Sequence, residues 1–167
     1  CVIDGPGLIS QPKKQYINFN GSEVYGVRGY FSAEYLSSCL KKPVSVSSDP
    51  GLLLSQVAPI VWDPIFDLGY VIHSVDRDIA FKDIEDCKIH LVDNYQYLET
   101  FVKEVAKYKF VISSSLHGVI FCHSYNIPVA PIVISGNLTG GLFKFKDYYS
   151  SLGMDVEICS IENIGYE

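Results

Sequence analysis

Apolar positions in this chain recur in two alternating rhythms: short runs rich in β-branched and aromatic residues, and longer stretches with an apolar residue every three or four positions. The clearest unit is Lys109-Phe110-Val111-Ile112-Ser113-Ser114-Ser115-Leu116-His117-Gly118-Val119-Ile120. Phe110 to Ile112 predicts a strand, the serines a turn, and Leu116 to Tyr125 a helix that stops at Asn126-Ile127-Pro128. Before it, a strand from Lys88 to Val92 leads to a helix from about Asn94 to Tyr108, with Tyr97, Leu98, Phe101, Val102 and Val105 on one face. Val44 to Ser47 and Val129 to Ile134 predict further strands, Leu68 to His73 a strand ending in His73, and Phe143 to Leu152 a last helix. Asp49-Pro50-Gly51 marks a turn or helix start with Asp49 as its simplest N-cap, and residues 57–67, with Pro59, Trp62 and Pro64, a connecting loop.

Nearer the start, Tyr16 to Phe19 and Val24 to Val27 predict strands around a turn at Asn20-Gly21. A helix from Tyr30 to Leu40 is then closed by Lys41-Lys42-Pro43. The opening Cys1-Val2-Ile3-Asp4-Gly5 reads as the end of a buried strand, so the sequence is expected to be a fragment of a longer protein. The break at Lys41-Lys42-Pro43 predicts two parts, residues 1–42 and residues 43–167. Strands alternating with helices of this length imply βαβ crossovers: the expected class is α/β, a mostly parallel sheet with flanking helices and its ligand edge at the strand C-termini.

Composition narrows the functional classes. With 48% hydrophobic and 19% charged residues the chain is expected to fold into a real core, and no apolar run reaches the roughly 18 residues of a membrane helix. A net charge of -6, with basic residues in scattered pairs, excludes a nucleic-acid footprint as an expectation. The five cysteines are far apart, with no CxxC pair and no Cys/His ligand spacing, so neither a metal site nor a disulfide scaffold is expected, and a reducing cytoplasm is the expected compartment.

Candidate chemistry gathers where strands meet helices. Ser113, Ser114 and Ser115 suit a helix start, where hydroxyls and free backbone N–H groups cap the helix or hold an anion, and His117 adds a titratable group in that first turn. Arg28 lies at a comparable turn, flanked by Gly26 and Gly29 that would let a ligand approach the backbone, and its guanidinium suits a carboxylate or phosphate. Asp49, His73, Ser113 to Ser115 and His117 all follow strands and are expected to face one crevice, with Lys144 near it. Ser135-Gly136-Asn137-Leu138-Thr139-Gly140-Gly141 has neither a dinucleotide-binding nor a P-loop spacing and is expected to be a loop.

Four ordered motifs carry a resemblance: Gly26-Val27-Arg28-Gly29, Asp49-Pro50-Gly51-Leu52-Leu53-Leu54, Ser113 to Ile120, and Lys144-Phe145-Lys146-Asp147-Tyr148-Tyr149. Together they resemble the polysaccharide pyruvyltransferases. The resemblance implies two Rossmann-like domains in a glycosyltransferase-B-like arrangement, residues 1–42 being the end of the first and residues 43–167 the second with a C-terminal tail. It implies transfer of the enolpyruvyl unit of phosphoenolpyruvate onto a sugar of an exopolysaccharide or lipid-linked oligosaccharide as a ketal, with no cofactor and no metal. His117 and Arg28 then fall on the catalytic positions, and Ser114, Ser115, Asp49, His73 and Lys144 on the substrate-binding side; Ser115 stands where some members carry arginine. The implied setting is bacterial-type and cytoplasmic, at the inner face of the membrane when the acceptor is lipid-linked, and the piece alone is expected to be inactive. Two other classes remain open: a nucleotide-sugar glycosyltransferase of the same architecture, and a non-catalytic carbohydrate-binding module, suggested by 9 Phe, 12 Tyr and 1 Trp.

Overall fold

A computed structural model describes residues 2–10, 21–76, 90–92, 97–136, 138 and 140–160. The expected strand at Tyr16 to Phe19, Asn20 of the turn after it, the start of the Lys88 strand and the Asn94 start of the following helix lie outside the described residues, as do Asn137 and Thr139. The chain forms two compact units, residues 1–50 with 139–157, and residues 51–138 with 158–167.

In the first unit β1 (Val2–Ile3) pairs in parallel with β2 (Glu23–Val24), and β3 (Gly26–Val27) with β4 (Ser45–Val46). Helix α1 (Tyr30–Leu40) links β3 to β4 and ends on Lys41 in the left-handed region (φ 54), a conformation that terminates a helix. Val24, Val27, Ala33, Leu36 and Val44 form the core beneath it. The unit includes residues 43–50 because β4 pairs with β3, and it includes α5 (Phe143–Ser151) because that helix packs on α1. Its range therefore differs from the division expected at Pro43; both contacts are non-local and leave no mark in the apolar rhythm.

The second unit begins with a 3-10 turn (Pro50–Leu53, whose Pro50 closes the first unit) and the short α2 (Leu54–Val57). Its sheet is β5 (Phe66–Val71), β6 (His90–Val92), β7 (Tyr108–Ser113), β8 (Val129–Val133) and β9 (Cys159–Ser160), in the order β6-β5-β7-β8-β9, with every neighbour parallel. Helices α3 (Leu98–Val105) and α4 (Leu116–Ser124) complete it. Val71 and Val111 share one core with Phe101, Val102, Val105, Cys122 and Ile127, while Tyr70, Ile112 and Ile132 make an apolar cluster on the opposite face. A parallel sheet covered on both faces gives the continuous apolar runs seen in the sequence.

Two boundaries differ from expectation. Strand β5 runs from Phe66 to Val71, so it takes in the end of the expected loop and stops two residues before His73. Tyr108 opens β7 instead of closing the preceding helix, because it pairs with Phe66 across the sheet and its ring fills the space beside Gly69.

Candidate functional site

The carboxyl edge of the second unit's sheet holds a pocket of about 430 Å³ lined by His73, Leu98, Phe101, Ser115, His117, Gly118 and Phe121. Ser113 shapes the turn beside it: it is fully buried, its hydroxyl donates to the Ser115 carbonyl (2.9 Å) and accepts from Ser115 N–H (3.1 Å), which turns the chain out of β7 into α4. Ser115 is the N-cap, its Oγ accepting from Gly118 N–H at 3.5 Å. Gly118 allows α4 to sit low on the strand ends, since a Cβ there would lie 2.5 Å from Ser113 Oγ and 2.8 Å from Val71 Cγ1. The N–H groups of Leu116 and His117 have no bonding partner among the described residues, and they belong to the positive end of the helix dipole.

His117 is exposed, and its ring stacks on Phe121 one turn along α4, centroids 5.9 Å apart. It is not in the core, and among the described residues its ring is not tied to backbone. His73 is held from three sides: its N–H donates to Ser114 Oγ (2.8 Å), its carbonyl accepts from Asp76 N–H (2.9 Å), and its Nδ1 accepts from Val75 N–H (3.3 Å). The Ser114 hydroxyl thus serves to fix His73 at the edge, and Ser114 N–H is spent on the Val71 carbonyl (3.0 Å).

Arg28, Asp49 and Lys144 belong to the first unit. Arg28 is only 6% exposed and lies 3.8 Å from Asp49 and 3.5 Å from Asp147, with Nη2 also donating to the Leu8 carbonyl. Its Nε is buried and has no hydrogen-bond partner among the described residues. The close approach expected of a ligand at Gly29 and Gly26 is taken by the protein itself. A Cβ on Gly29 would overlap the Asp147 carbonyl, and one on Gly26 would lie 2.6 Å from Asp4 Oδ1 and Ser47 Oγ. Lys144 stands over the Phe145 ring, 5.7 Å from its centroid. Within the second unit His73, Ser115 and His117 line one pocket, and within the first unit Arg28 and Asp49 form a buried cluster.

Asp147 and Asp76 escaped the sequence reading as individual residues. Asp147, fully buried on α5, accepts from Ser32 N–H and Ser32 Oγ of α1, each at 2.7 Å, and so caps a helix more than a hundred residues away. Asp76, also fully buried, accepts from Ser135 Oγ, while its other oxygen is unpaired among the described residues. Burial, with the Asp76 charge second, pushes the Tyr70 phenol up to about 12. Only the position of Asp76 after a strand hinted at it.

Among the described residues no helix is long and apolar enough to cross a membrane. The polysaccharide pyruvyl transferase family model matches residues 12–136. A protein of Acanthamoeba polyphaga mimivirus described as uncharacterized is 33% identical over 165 residues, covering 92% of this chain and 55% of that relative, so the chain spans about half the relative's length. No solved structure matches the chain. The matched residues take in the Arg28 turn, His73, His117 and the serine-capped helix start, and on that match the chain belongs to the polysaccharide pyruvyl transferase family.

Proposed function

We propose that this chain serves a pyruvyltransferase that moves the enolpyruvyl unit of phosphoenolpyruvate onto two hydroxyls of a saccharide as a ketal, with His117 as the acid/base group. The observation that carries this is an exposed imidazole, unbonded to the described backbone, placed beside unpaired N–H groups at a serine-capped helix start. In the reaction one hydroxyl adds to C2 of the enol phosphate while C3 takes a proton, and a second hydroxyl replaces phosphate at C2. One hydroxyl proton ends in the new methyl group and the other leaves with the phosphate. A positioned imidazole suits both transfers, and N–H donors at a helix start suit the donor's anionic oxygens.

Ser115 and the Leu116 and His117 N–H groups are the proposed donor contacts, with His73 beside them and Ser114 acting through His73. Arg28 is assigned to the donor's anionic groups on the family match. In support, its ion pairs with Asp49 and Asp147 exceed the roughly 2.7–2.9 Å of a charge-assisted hydrogen bond, and its Nε–H is unspent among the described residues. Asp49 would then tune Arg28, and Lys144 would add positive charge. This role requires the two compact units to belong to two Rossmann-like domains of a glycosyltransferase-B-like whole that closes on one donor. A lipid-linked acceptor would be met in the cytoplasm at the inner membrane face, and this chain alone would lack part of the wall that positions it.

In the complete gene product, His117→Ala should lower kcat by about 10²-fold or more with donor binding retained. Arg28→Lys should instead weaken binding of phosphoenolpyruvate, read by calorimetry on protein whose circular dichroism is unchanged. Near-full turnover by His117→Ala would defeat the assignment, and consumption of a nucleotide sugar without use of phosphoenolpyruvate would favour a glycosyltransferase.

A further inference from the structure

We propose that the apolar half of the His117 pocket, formed by Leu98, Phe101 and Phe121, is the subsite for the C–H face of the acceptor pyranose, with Leu98 setting which sugars fit. The inference rests on the pyruvyl-transfer reading for the identity of the reaction, while the binding claim is testable without it.

The pocket is divided by chemistry. His73, Ser115, His117 and Gly118 line it from the strand ends and the start of α4, whereas Leu98, Phe101 and Phe121 line it from α3 and the next turn of α4. At about 430 Å³ it lies in the range of pockets that take a drug-sized molecule, so a three-carbon phosphate bound at the helix start leaves the apolar half open. Phe101 and Phe121 meet edge to face, centroids 6.0 Å apart, and Phe121 in turn carries the His117 ring. The acid/base candidate therefore sits at the seam between the halves. Leu98, at the first position of α3, is 46% exposed, so it presents to the pocket apolar surface that the core does not use.

A pyranose matches that division. Its C–H face packs on aliphatic and aromatic side chains, and its hydroxyls project from the ring edge, where they would meet His117. Anionic groups have no favourable partner against Leu98, Phe101 and Phe121. Leu98 touches the occupant without supporting the core, which makes it the position where a substitution changes specificity and leaves the fold intact.

Saturation-transfer NMR with methyl galactopyranoside, glucopyranoside and mannopyranoside should show saturation at ring C–H protons. Leu98→Ser should reduce it, and the volume-conserving Leu98→Met should restore it. In the complete gene product, Leu98→Ser should raise the acceptor KM about tenfold with the phosphoenolpyruvate KM within about twofold of wild type, the size of effect that loss of one apolar contact gives. Pyranoside saturation that Leu98→Ser abolishes, in a protein that never releases phosphate, would support the subsite and remove the pyruvyl-transfer reading. Phosphate release with an acceptor KM unchanged in Leu98→Ser would overturn the subsite and leave that reading standing.

Discussion

At the scale of single residues, the groups with the clearest titration behaviour lie in the second unit's core. Burial pushes the Cys122 thiol up to about 12, as burial and then Asp76 do for the Tyr70 phenol. Both groups keep their protons in the folded state at pH values where the unfolded chain gives them up. Their folded pKa values are raised, so their contribution to stability is intact below the ordinary thiol and phenol range and is lost as pH climbs from about 9 toward about 12. Thermal melting across that window should fall steeply, and Tyr70→Phe should flatten the upper part of the fall; an unchanged profile in that variant would mean that Tyr70 does not couple folding to pH. The position of His117 in the first turn of a helix after a strand was legible from sequence, because an apolar β run, a serine turn and a helical rhythm follow one another there. Ser114 was legible as a position but not as a role. Whether its hydroxyl faces a ligand or the His73 N–H depends on the register of β5 against β7, which no local pattern encodes.

At the scale of elements, α1 and α5 are joined by polar contacts. Asp147 accepts from Ser32 N–H and Oγ and pairs with Arg28, and Ser150 Oγ accepts from Tyr30 N–H at 2.9 Å while donating to the Asp147 carbonyl. Removing one partner of a buried ion pair costs about 3–5 kcal/mol, so Asp147→Ala should lower the urea midpoint severely, and Asp147→Asn, which keeps an acceptor for Ser32, should do so less. Equal midpoints for wild type and Asp147→Ala would show that the cap does not hold the two helices. Elements were readable wherever amphipathic spacing was strong, as in the Leu98–Val105 helix. Strand ends were not, because a strand buried on both faces has no alternation to mark where it stops, and β5 was displaced accordingly. The Asp147 cap was out of reach because it joins residues 115 apart in the sequence.

At the scale of the whole molecule, the α/β class and parallel sheets were legible because strands alternate with helices, and the family through ordered motifs, of which the first three fall within the matched residues. The ranges of the compact units were not, since residues 139–157 rejoin the first unit after the chain has built the second. Ketal formation from an enol phosphate is the central claim, and it has a direct signature. Phosphoenolpyruvate labelled with ¹³C at C3, incubated with the complete gene product and an oligosaccharide acceptor, should lose its vinyl signal and yield a saccharide-bound methyl signal, with one phosphate released per methyl formed. A vinyl signal that persists with every acceptor, or phosphate released with free pyruvate as the sole carbon product, would contradict it.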